Sequence, residues 1–236
     1  MNDALFRMSI SDSIEVCQAC GVYKGQCCSN EERKFVMPLI SCIGDYSAYV
    51  KELQSRGEYD ILLADESMFQ FNKSKKETVI DGKRKKYDYF RYCFIQSPTK
   101  LVSFEEYFKD WGNDEVIGNE EYLREMYETD RDVMEDTFPL YLRYDVDYKG
   151  YLPNSHSYAH LHIGFKEGYR MPVSIILTPK AFVCMVLKLV YSDIWKEAVV
   201  SHSKVCERVY TALKSQCDKD KNPYWDRCEE NDLYIR

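Results

Sequence analysis

The sequence predicts a single α+β domain in which helices from both ends of the chain pack on an antiparallel sheet. Alternating segments on both sides of Asp81-Gly82 predict a long hairpin, and a second pair of alternating segments follows in 140–165. Helical apolar spacing appears near the amino end and again in the last third of the chain. No repeat, low-complexity tract or flexible linker divides the chain, so we expect one domain over residues 1–236.

The amino-terminal part, residues 1–32, is predicted to hold one helix followed by a cysteine-rich loop. Apolar side chains at mostly helical spacing mark the helix over residues 3–18. After the loop, the nearly continuous apolar run 35–43 predicts a strand, and 46–53 predicts a short helix.

A long antiparallel hairpin is predicted from about residue 59 to residue 96. Residues 59–72 and 87–95 alternate and are rich in aromatic and branched side chains, and Asp81-Gly82 between them is a strong two-residue turn. The basic tip of this hairpin, residues 73–86, carries seven positive side chains, at positions 73, 75, 76, 83, 84, 85 and 86. These charges suit contact with nucleic-acid phosphates, or they keep an exposed strand edge from pairing with other chains.

The second pair of strands is predicted in the second half of the chain. Residues 140–147 alternate with period two, a turn follows, and 158–165 form the next strand. The chain then continues in extended form over 170–176. Thr178-Pro179 predicts the start of a helix that ends near Trp195. A further helix at about 198–215 is expected within the carboxyl-terminal part, residues 198–236, which closes with a tail.

Composition is that of a soluble globular protein and excludes several other classes. Hydrophobic residues make up 45% of the 236 residues, and the net charge of −7 argues against a protein that coats nucleic acid unspecifically. The amino end carries no signal-peptide pattern, and the most apolar window, 171–191, is interrupted by Pro179, Lys180 and Lys188, so we expect no membrane segment. The 10 cysteines are then expected to be reduced thiols in the cytoplasm.

Four cysteines near the amino end form a candidate metal site: Cys17, Cys20, Cys27 and Cys28. Zinc takes four ligands in a tetrahedron, and thiolates are among the ligands that it prefers. Adjacent Cys27 and Cys28 chelate one ion poorly, however, and no histidine lies nearby. Thiols packed beside the amino-terminal helix are therefore the competing interpretation.

The segment 104–136 is strongly acidic, with thirteen Asp and Glu residues against three Lys and Arg residues. It is a candidate surface for a protein partner, although such charge is usually just solvated. Short helices are expected at about 104–110 and 119–128.

Seven polar side chains in the second half of the chain form the candidate site: Arg143, Asp145, Asp147, His156, His160, His162 and Arg170. Arg143, Asp145 and Asp147 share one face of a strand, and His160 and His162 share one face of the next. If the two strands pair, Asp145, His160 and His162 are candidate ligands of a divalent metal, or the groups divide acid and base roles beside an arginine that binds phosphate. The competing interpretation is a set of structural ion pairs across the strands.

Several motifs in this region follow a recognisable order. They are Leu142-Arg143-Tyr144-Asp145, His156-Ser157-Tyr158-Ala159-His160-Leu161, Arg170-Met171-Pro172-Val173 and Pro179-Lys180-Ala181-Phe182. Over about 45–197 this order resembles an uncharacterised bacterial family, domain of unknown function 2290. The resemblance implies no reaction, but it marks Arg143, Asp145, His156, His160 and Arg170 as the first positions to mutate.

Two functions therefore remain open. The one that we favour from the sequence is a non-catalytic protein-interaction module, because tyrosine is abundant, with 20 residues, and charge is segregated along the chain. The alternative is a small metal-dependent or acid–base phosphodiesterase or nuclease, with a toxin-like or defence-associated role among its options. It rests on the Arg/Asp/His cluster and the basic hairpin tip. A concave pocket that joins Asp145, His160, His162 and Arg170 would favour the alternative. Side chains dispersed on two faces, or fully paired under a flat surface, would favour the interaction module.

Overall fold

A computed structural model shows a seven-stranded, open antiparallel sheet packed by helices, which confirms the predicted α+β class. The structure describes residues 1–27, 45–80, 82–98, 104, 120–131, 139–165, 169–201, 221–231 and 234–235. Within these ranges the helices are α1 (Asp3–Ala19), α2 (Tyr46–Ser55), α3 (Glu120–Arg131), α4 (Pro179–Val190) and α5 (Ser192–Ser201). The strands are β1 (Tyr23–Gly25), β2 (Ile61–Leu63), β3 (Met68–Ile80), β4 (Lys83–Ile95), β5 (Tyr141–Val146), β6 (Ala159–Ile163) and β7 (Arg170–Pro172).

The strands lie in the sheet in the order in which they occur in the chain, and each pairs antiparallel with the next. At the β7 end, the backbone of Ile235 pairs in parallel with Val173. The N–H of Ile235 donates to the carbonyl of Pro172 at 3.0 Å, and the N–H of Ser174 donates to the carbonyl of Ile235 at 2.9 Å. A segment from the carboxyl-terminal part therefore continues the hydrogen bonding of this edge.

Helices α1 and α4 cover the apolar face of the sheet. Thr178 caps α4 as predicted, because its hydroxyl accepts from the N–H of Ala181 at 3.2 Å. Phe182 of α4 is fully buried, and its ring centroid lies 6.2 Å from that of Phe69 and 5.9 Å from that of Tyr92. This aromatic packing fixes α4 on the sheet.

The opposite face of the sheet is only partly apolar. Tyr49, Val50 and Leu53 of α2 are buried against one end of it, where they pack with Met68 and Tyr141 among others. The rows of side chains beyond this apolar end are polar and charged, and they hold the candidate site.

The predicted hairpin begins later than the sequence suggested. The prediction of a single strand that starts at residue 59 is wrong, because the chain turns after β2 and folds back so that β2 pairs with the start of β3. The carboxylate of Asp65 accepts from the N–H of Ser67 at 3.0 Å, and Glu66 adopts a positive φ of 67°. This side-chain-stabilised turn divides a segment that we had expected to be continuous.

The helix predicted from residue 179 to about 195 is also wrong in its end point. It ends at Val190, Tyr191 leaves the helical conformation with ψ of 44°, and α5 starts at Ser192. The extended segment 170–176 is regular strand only over Arg170–Pro172.

Other expectations fall on residues outside the described ranges. They are the strand at 35–43, most of the acidic segment 104–136, the helix beyond residue 201, Cys28 and the Asp81 position of the hairpin turn. None of the helices in the described ranges combines the length and apolar composition needed to cross a membrane.

Candidate functional site

Strands β5 and β6 bring four of the predicted residues together. The register places Arg143 opposite His162 and Asp145 opposite His160. Because side chains alternate along a strand, all four project from the face opposite the one that α4 covers. The two strands thus turn their charged and imidazole side chains towards each other, as the alternation predicted.

Asp145 is the centre of this cluster. Its carboxylate accepts from Nε of Arg143 at 2.8 Å and from Nε of Arg91 at 2.6 Å. Arg91 comes from β4, directly opposite Asp145. The side chain of Asp145 is only 5% exposed, and those of Arg91 and Arg143 are 16% and 18% exposed. A buried carboxylate is therefore held between two partly buried guanidinium groups.

His162 is held by Arg143 in a defined tautomer. Nη2 of Arg143 lies 2.9 Å from Nε2 of His162. A guanidinium group can only donate, so Nε2 accepts and the neutral ring carries its proton on Nδ1. The same Nε2 lies 3.4 Å from Oδ2 of Asp145. It can donate to Asp145 only when Nε2 carries a proton and Arg143 has moved away.

His160 has the reverse arrangement. Its Nδ1 lies 2.6 Å from the carbonyl oxygen of Ser157, which can only accept. Nδ1 therefore carries the proton, and Nε2 keeps a lone pair. The ring centroid of His160 is 4.7 Å from that of His162 and 4.9 Å from that of His156. Three imidazoles thus lie in a row.

The protonation states follow from burial and charge. Burial lowers the pKa of His160 to about 4, although Asp145 acts in the opposite direction. Burial also lowers the pKa of His162. For Asp145, burial alone would raise the pKa, but the charges and hydrogen bonds of Arg91 and Arg143 hold it well below its usual range. At neutral pH the cluster contains two neutral imidazoles and one ionised carboxylate.

This set of groups suits an anion better than a metal ion. Asp145, His160 and His162 place one potential ligand atom each within 4.8 Å of one another, which is compatible with a shared ion. However, two guanidinium groups already neutralise the carboxylate, and the Nε2 lone pair of His162 accepts from Arg143. A cation would have to displace these contacts against a net positive charge, whereas an anion would be attracted.

The other predicted residues lie around this cluster. Asp147 shares its face but is bonded elsewhere, to Nζ of Lys76 at 2.8 Å and to the hydroxyl of Tyr87 at 2.6 Å. Arg170 is exposed on β7, directly opposite His162. The structure therefore separates Asp147 from the cluster and leaves Arg170 at its edge.

His156 lies in the turn that leads into β6. Its Nδ1 is buried and bonds to no residue in the described ranges. Gly150 has a φ of +79°, and a Cβ at this position would lie 3.2 Å from that atom. Glycine thus makes room for the ring of His156 as well as for the turn.

The cysteine site receives no support from the described residues. Asp145, His160 and His162 are the only potential metal ligands grouped in this way among them, so Cys17, Cys20 and Cys27 do not form a centre there. Cys17 is buried, and burial raises its pKa well above the usual range. These observations agree with packed thiols.

Sequence reasoning missed Arg91, which supplies the shortest contact to Asp145. The signal was an arginine within the otherwise aromatic strand Tyr87–Ile95. Cys93 and Tyr141 were also missed. They lie beside the cluster, 3.5 Å apart between Sγ and the phenol oxygen, and burial raises the pKa of Cys93 to about 11.

Together, the fold and the cluster define an α+β protein with an open antiparallel sheet and a buried Arg/Asp/His cluster on its partly polar face. The chain belongs to the family DUF2290, described as "Uncharacterized conserved protein", whose family model matches residues 27–224. This match confirms the resemblance and extends it beyond 45–197 at both ends. No curated protein and no solved structure matches the chain.

Proposed function

We propose that this protein cleaves phosphodiester bonds by acid–base catalysis at Arg143, Asp145, His160 and His162. The observation that carries the proposal is the position of Arg143, which donates both to the carboxylate of Asp145 and to the lone pair of His162. A phosphate that takes over this guanidinium would release both groups at once. Binding of the substrate would thereby free Nε2 of His162 to take up a proton from solvent and become the acid that the reaction needs.

Arg143 and Arg170 are suited to hold the phosphate. Guanidinium groups bind phosphate oxygens through paired charge-assisted hydrogen bonds. Arg143 projects from the cluster and Arg170 lies at its exposed edge, next to His162 on the neighbouring strand. A phosphodiester between them would approach both imidazoles.

The two histidines then take different roles. Neutral His160 keeps a lone pair on Nε2 and can accept the proton of the attacking hydroxyl or water. Once Arg143 has moved to the phosphate, Nε2 of His162 can take up a proton from solvent and donate it to the leaving oxygen, with Asp145 stabilising the cation. The negative phosphate favours the charged form of His162, whereas His160 has to stay neutral until it accepts the proton of the nucleophile.

The test is cleavage of labelled RNA and DNA oligonucleotides by the full chain, with EDTA and with added Mg²⁺, Mn²⁺ or Zn²⁺. We expect cleavage in EDTA, and a 10²- to 10⁴-fold lower rate for His160→Gln and for His162→Gln. Asp147→Asn is the matched control, because Asp147 lies on the same strand face but is bonded to Lys76 and Tyr87.

Three outcomes of this assay are informative. Cleavage that requires a metal would replace the acid–base proposal by a metal-dependent one at Asp145, His160 and His162. An equal loss of rate in Asp147→Asn would show that the assignment to the cluster is wrong. If folded protein cleaves neither substrate under any of these conditions, the proposal fails.

A second candidate is the non-catalytic protein-interaction module. The observation that favours it is the set of exposed apolar side chains on three helices, since Tyr122 is 59%, Leu189 61% and Ile194 41% exposed. Folded protein without activity would favour this candidate, with partner binding through the acidic segment 104–136.

We also infer a bacterial, cytoplasmic protein. The family resemblance suggests the bacterial source. The six cysteines in the described ranges all carry free thiols, as is usual in a reducing compartment.

A further inference from the structure

The β3–β4 hairpin extends well beyond the rest of the sheet. Strands β3 and β4 stay paired out to Ile80 and Lys83, but β5 pairs with β4 only over Phe90–Ile95. Residues 74–80 and 83–89 therefore form a two-stranded ribbon without a further paired strand in the described ranges. We call this segment the ribbon.

Much of the positive charge of the ribbon is not neutralised within the molecule. Lys73 at its base pairs with Asp3, Lys76 with Asp147, and Lys86 with Glu77. The remaining positive side chains form no ion pair with a carboxylate in the part of the chain that the structure describes, and all of them are exposed: Lys75, Lys83, Arg84 and Lys85. An exposed cationic surface of this kind on a protein of net charge −7 attracts polyanions locally.

Two of these four cations share the sheet face of the cluster. Lys83 and Lys85 are an even number of positions from Arg91 on β4, so they project from the face that carries Arg91 and Asp145. Lys75 and Arg84 project from the opposite face. From Arg91 to Lys83 the strand covers about 26 Å at the usual rise per residue. The ribbon thus offers two pairs of equal charge on opposite faces.

We propose that a single nucleic-acid strand binds along the ribbon on the face of Lys83 and Lys85, which lead its backbone towards the buried cluster. This inference rests on the proposed phosphodiester cleavage for its direction. A single strand suits the geometry because the side chains of Asp145 and His162 are only 5% and 7% exposed. A flexible strand can bring a phosphodiester to such groups more readily than a stiff duplex can, and a site of about 4 or more nucleotides has the length of the ribbon.

The competing explanation is edge protection. Lysines on an exposed strand edge prevent pairing with other chains whichever sheet face they occupy. Nucleic-acid binding along one face instead predicts that two of the four charges matter more than the other two. Comparison of the two pairs therefore separates the explanations.

The experiment measures binding of fluorescein-labelled U20 and dT20 by fluorescence anisotropy at 50–300 mM NaCl. All proteins are full-length and carry His160→Gln to suppress cleavage. We expect Lys83→Gln/Lys85→Gln to weaken binding at least tenfold and to make the slope of log K against log salt shallower by about 1.4, because each phosphate left without its lysine accounts for about 0.7. Lys75→Gln/Arg84→Gln, which removes the same charge from the other face, should stay within about twofold.

The binding results either support or overturn the proposal that a single strand binds along the ribbon. Equal weakening by both double variants, no binding by the parent protein at 50 mM NaCl, or tighter binding of a duplex of the same length overturns the proposal. Tighter binding of U20 than of dT20 supports it and assigns recognition to the ribose, whereas equal binding supports it and assigns recognition to the backbone. Single Lys85→Glu serves as a second variant if the double variant aggregates.

The two proposals fail separately. If binding depends on Lys83 and Lys85 but the unsubstituted protein does not cleave the strand, the ribbon proposal is supported and the proposed enzymatic activity is contradicted. If cleavage is abolished in His162→Gln but unaffected by the ribbon variants, the proposed enzymatic activity is supported and the ribbon proposal is contradicted.

Discussion

Asp145 is buried between two guanidinium groups, and this arrangement has a cost. Removing charges from water is unfavourable, and the contacts with Arg91 and Arg143 offset that cost rather than exceed it by a wide margin. Removal of one partner is different, because it leaves the others charged and unpaired. The cluster therefore makes the protein sensitive to single substitutions within it.

Asp145→Asn should lower the free energy of unfolding by about 3–5 kcal/mol, because two partly buried guanidinium groups lose their counter-charge. Urea denaturation at pH 7 measures the change. Asp147→Asn is the control, and its cost should be about 1 kcal/mol because Lys76, its partner, is more than one-third exposed. Similar losses of unfolding free energy in the two variants would show that the buried contacts of Asp145 stabilise the fold no more than the contact of Asp147 with Lys76 does.

Stability should fall as the pH is lowered from about 6.5 to about 4. His160 in the folded protein takes up a proton only near pH 4, whereas in the unfolded chain it does so near its usual pKa of 6.5. The unfolded state therefore binds more protons across this range, and the loss from His160 is about 3 kcal/mol. Asp145 contributes in a lower range, because its folded pKa is depressed and its stabilisation is lost only below about pH 4.

Urea denaturation at pH 7, 5.5 and 4 tests this dependence. His160→Gln should make the decline shallower without abolishing it, since burial also lowers the pKa of His162. An unchanged slope in His160→Gln would contradict the assignment of the pH dependence to this ring.

At the scale of single residues, the sequence predicted much of the candidate site. Alternation alone placed Arg143 and Asp145 on one face of their strand, and His160 and His162 on one face of the next strand. The turn residues between the two strands indicated that the strands pair, so that these side chains share one face of the sheet. It did not predict Arg91, because β4 and β5 are separated by more than forty residues, and their register is set by tertiary packing. Hydrogen-bond partners such as the carbonyl of Ser157 are equally invisible in a pattern.

At the scale of elements, one contact connects two of the boundaries that the sequence did not predict. The hydroxyl of Tyr191, at the break between α4 and α5, donates to the carboxylate of Asp65 at 2.6 Å. Asp65 in turn stabilises the turn between β2 and β3. Periodicity predicts a longer helix and a longer strand because the apolar pattern continues through Tyr191 and through the turn at Asp65. The long-range hydrogen bond between these two residues lies where the helix and the strand are in fact interrupted.

Tyr191→Phe should destabilise the protein by about 1–2 kcal/mol, because a partly buried hydrogen bond to a carboxylate is removed without a change of shape. Thermal and urea unfolding measure the effect. Tyr122→Phe on α3, where the ring is 59% exposed, should change stability by less than about 0.5 kcal/mol. Equal effects would show that the contact of Tyr191 with Asp65 does not stabilise the fold.

At the scale of the whole molecule, the sheet separates two environments. One face is apolar and is covered by α1 and α4, which are also joined directly because the N–H of Lys180 donates to the hydroxyl of Ser9 at 3.0 Å. The other face holds α2 at one end and the buried polar cluster beyond it. Since both faces share the same strands, the packing on one should limit the geometry of the other.

Phe182→Ala should destabilise the whole protein by about 3–5 kcal/mol, because a fully buried ring in contact with Phe69 and Tyr92 is removed. If the chain is one domain, far-ultraviolet circular dichroism and tryptophan fluorescence should report the same transition in both the parent protein and the variant. Leu189→Ala on the same helix, where the side chain is 61% exposed, should cost less than about 1 kcal/mol. Separate transitions would indicate more than one folding unit.

The pairing of Ile235 with the β7 edge has a practical consequence for purified protein. Proteolytic removal of the segment that contains this residue would free the N–H of Ser174 and the carbonyl of Pro172. Unpaired backbone groups of this kind invite another molecule to add its own strand. Clipped material should therefore oligomerise slowly on storage, so intact mass is worth checking before any measurement of affinity.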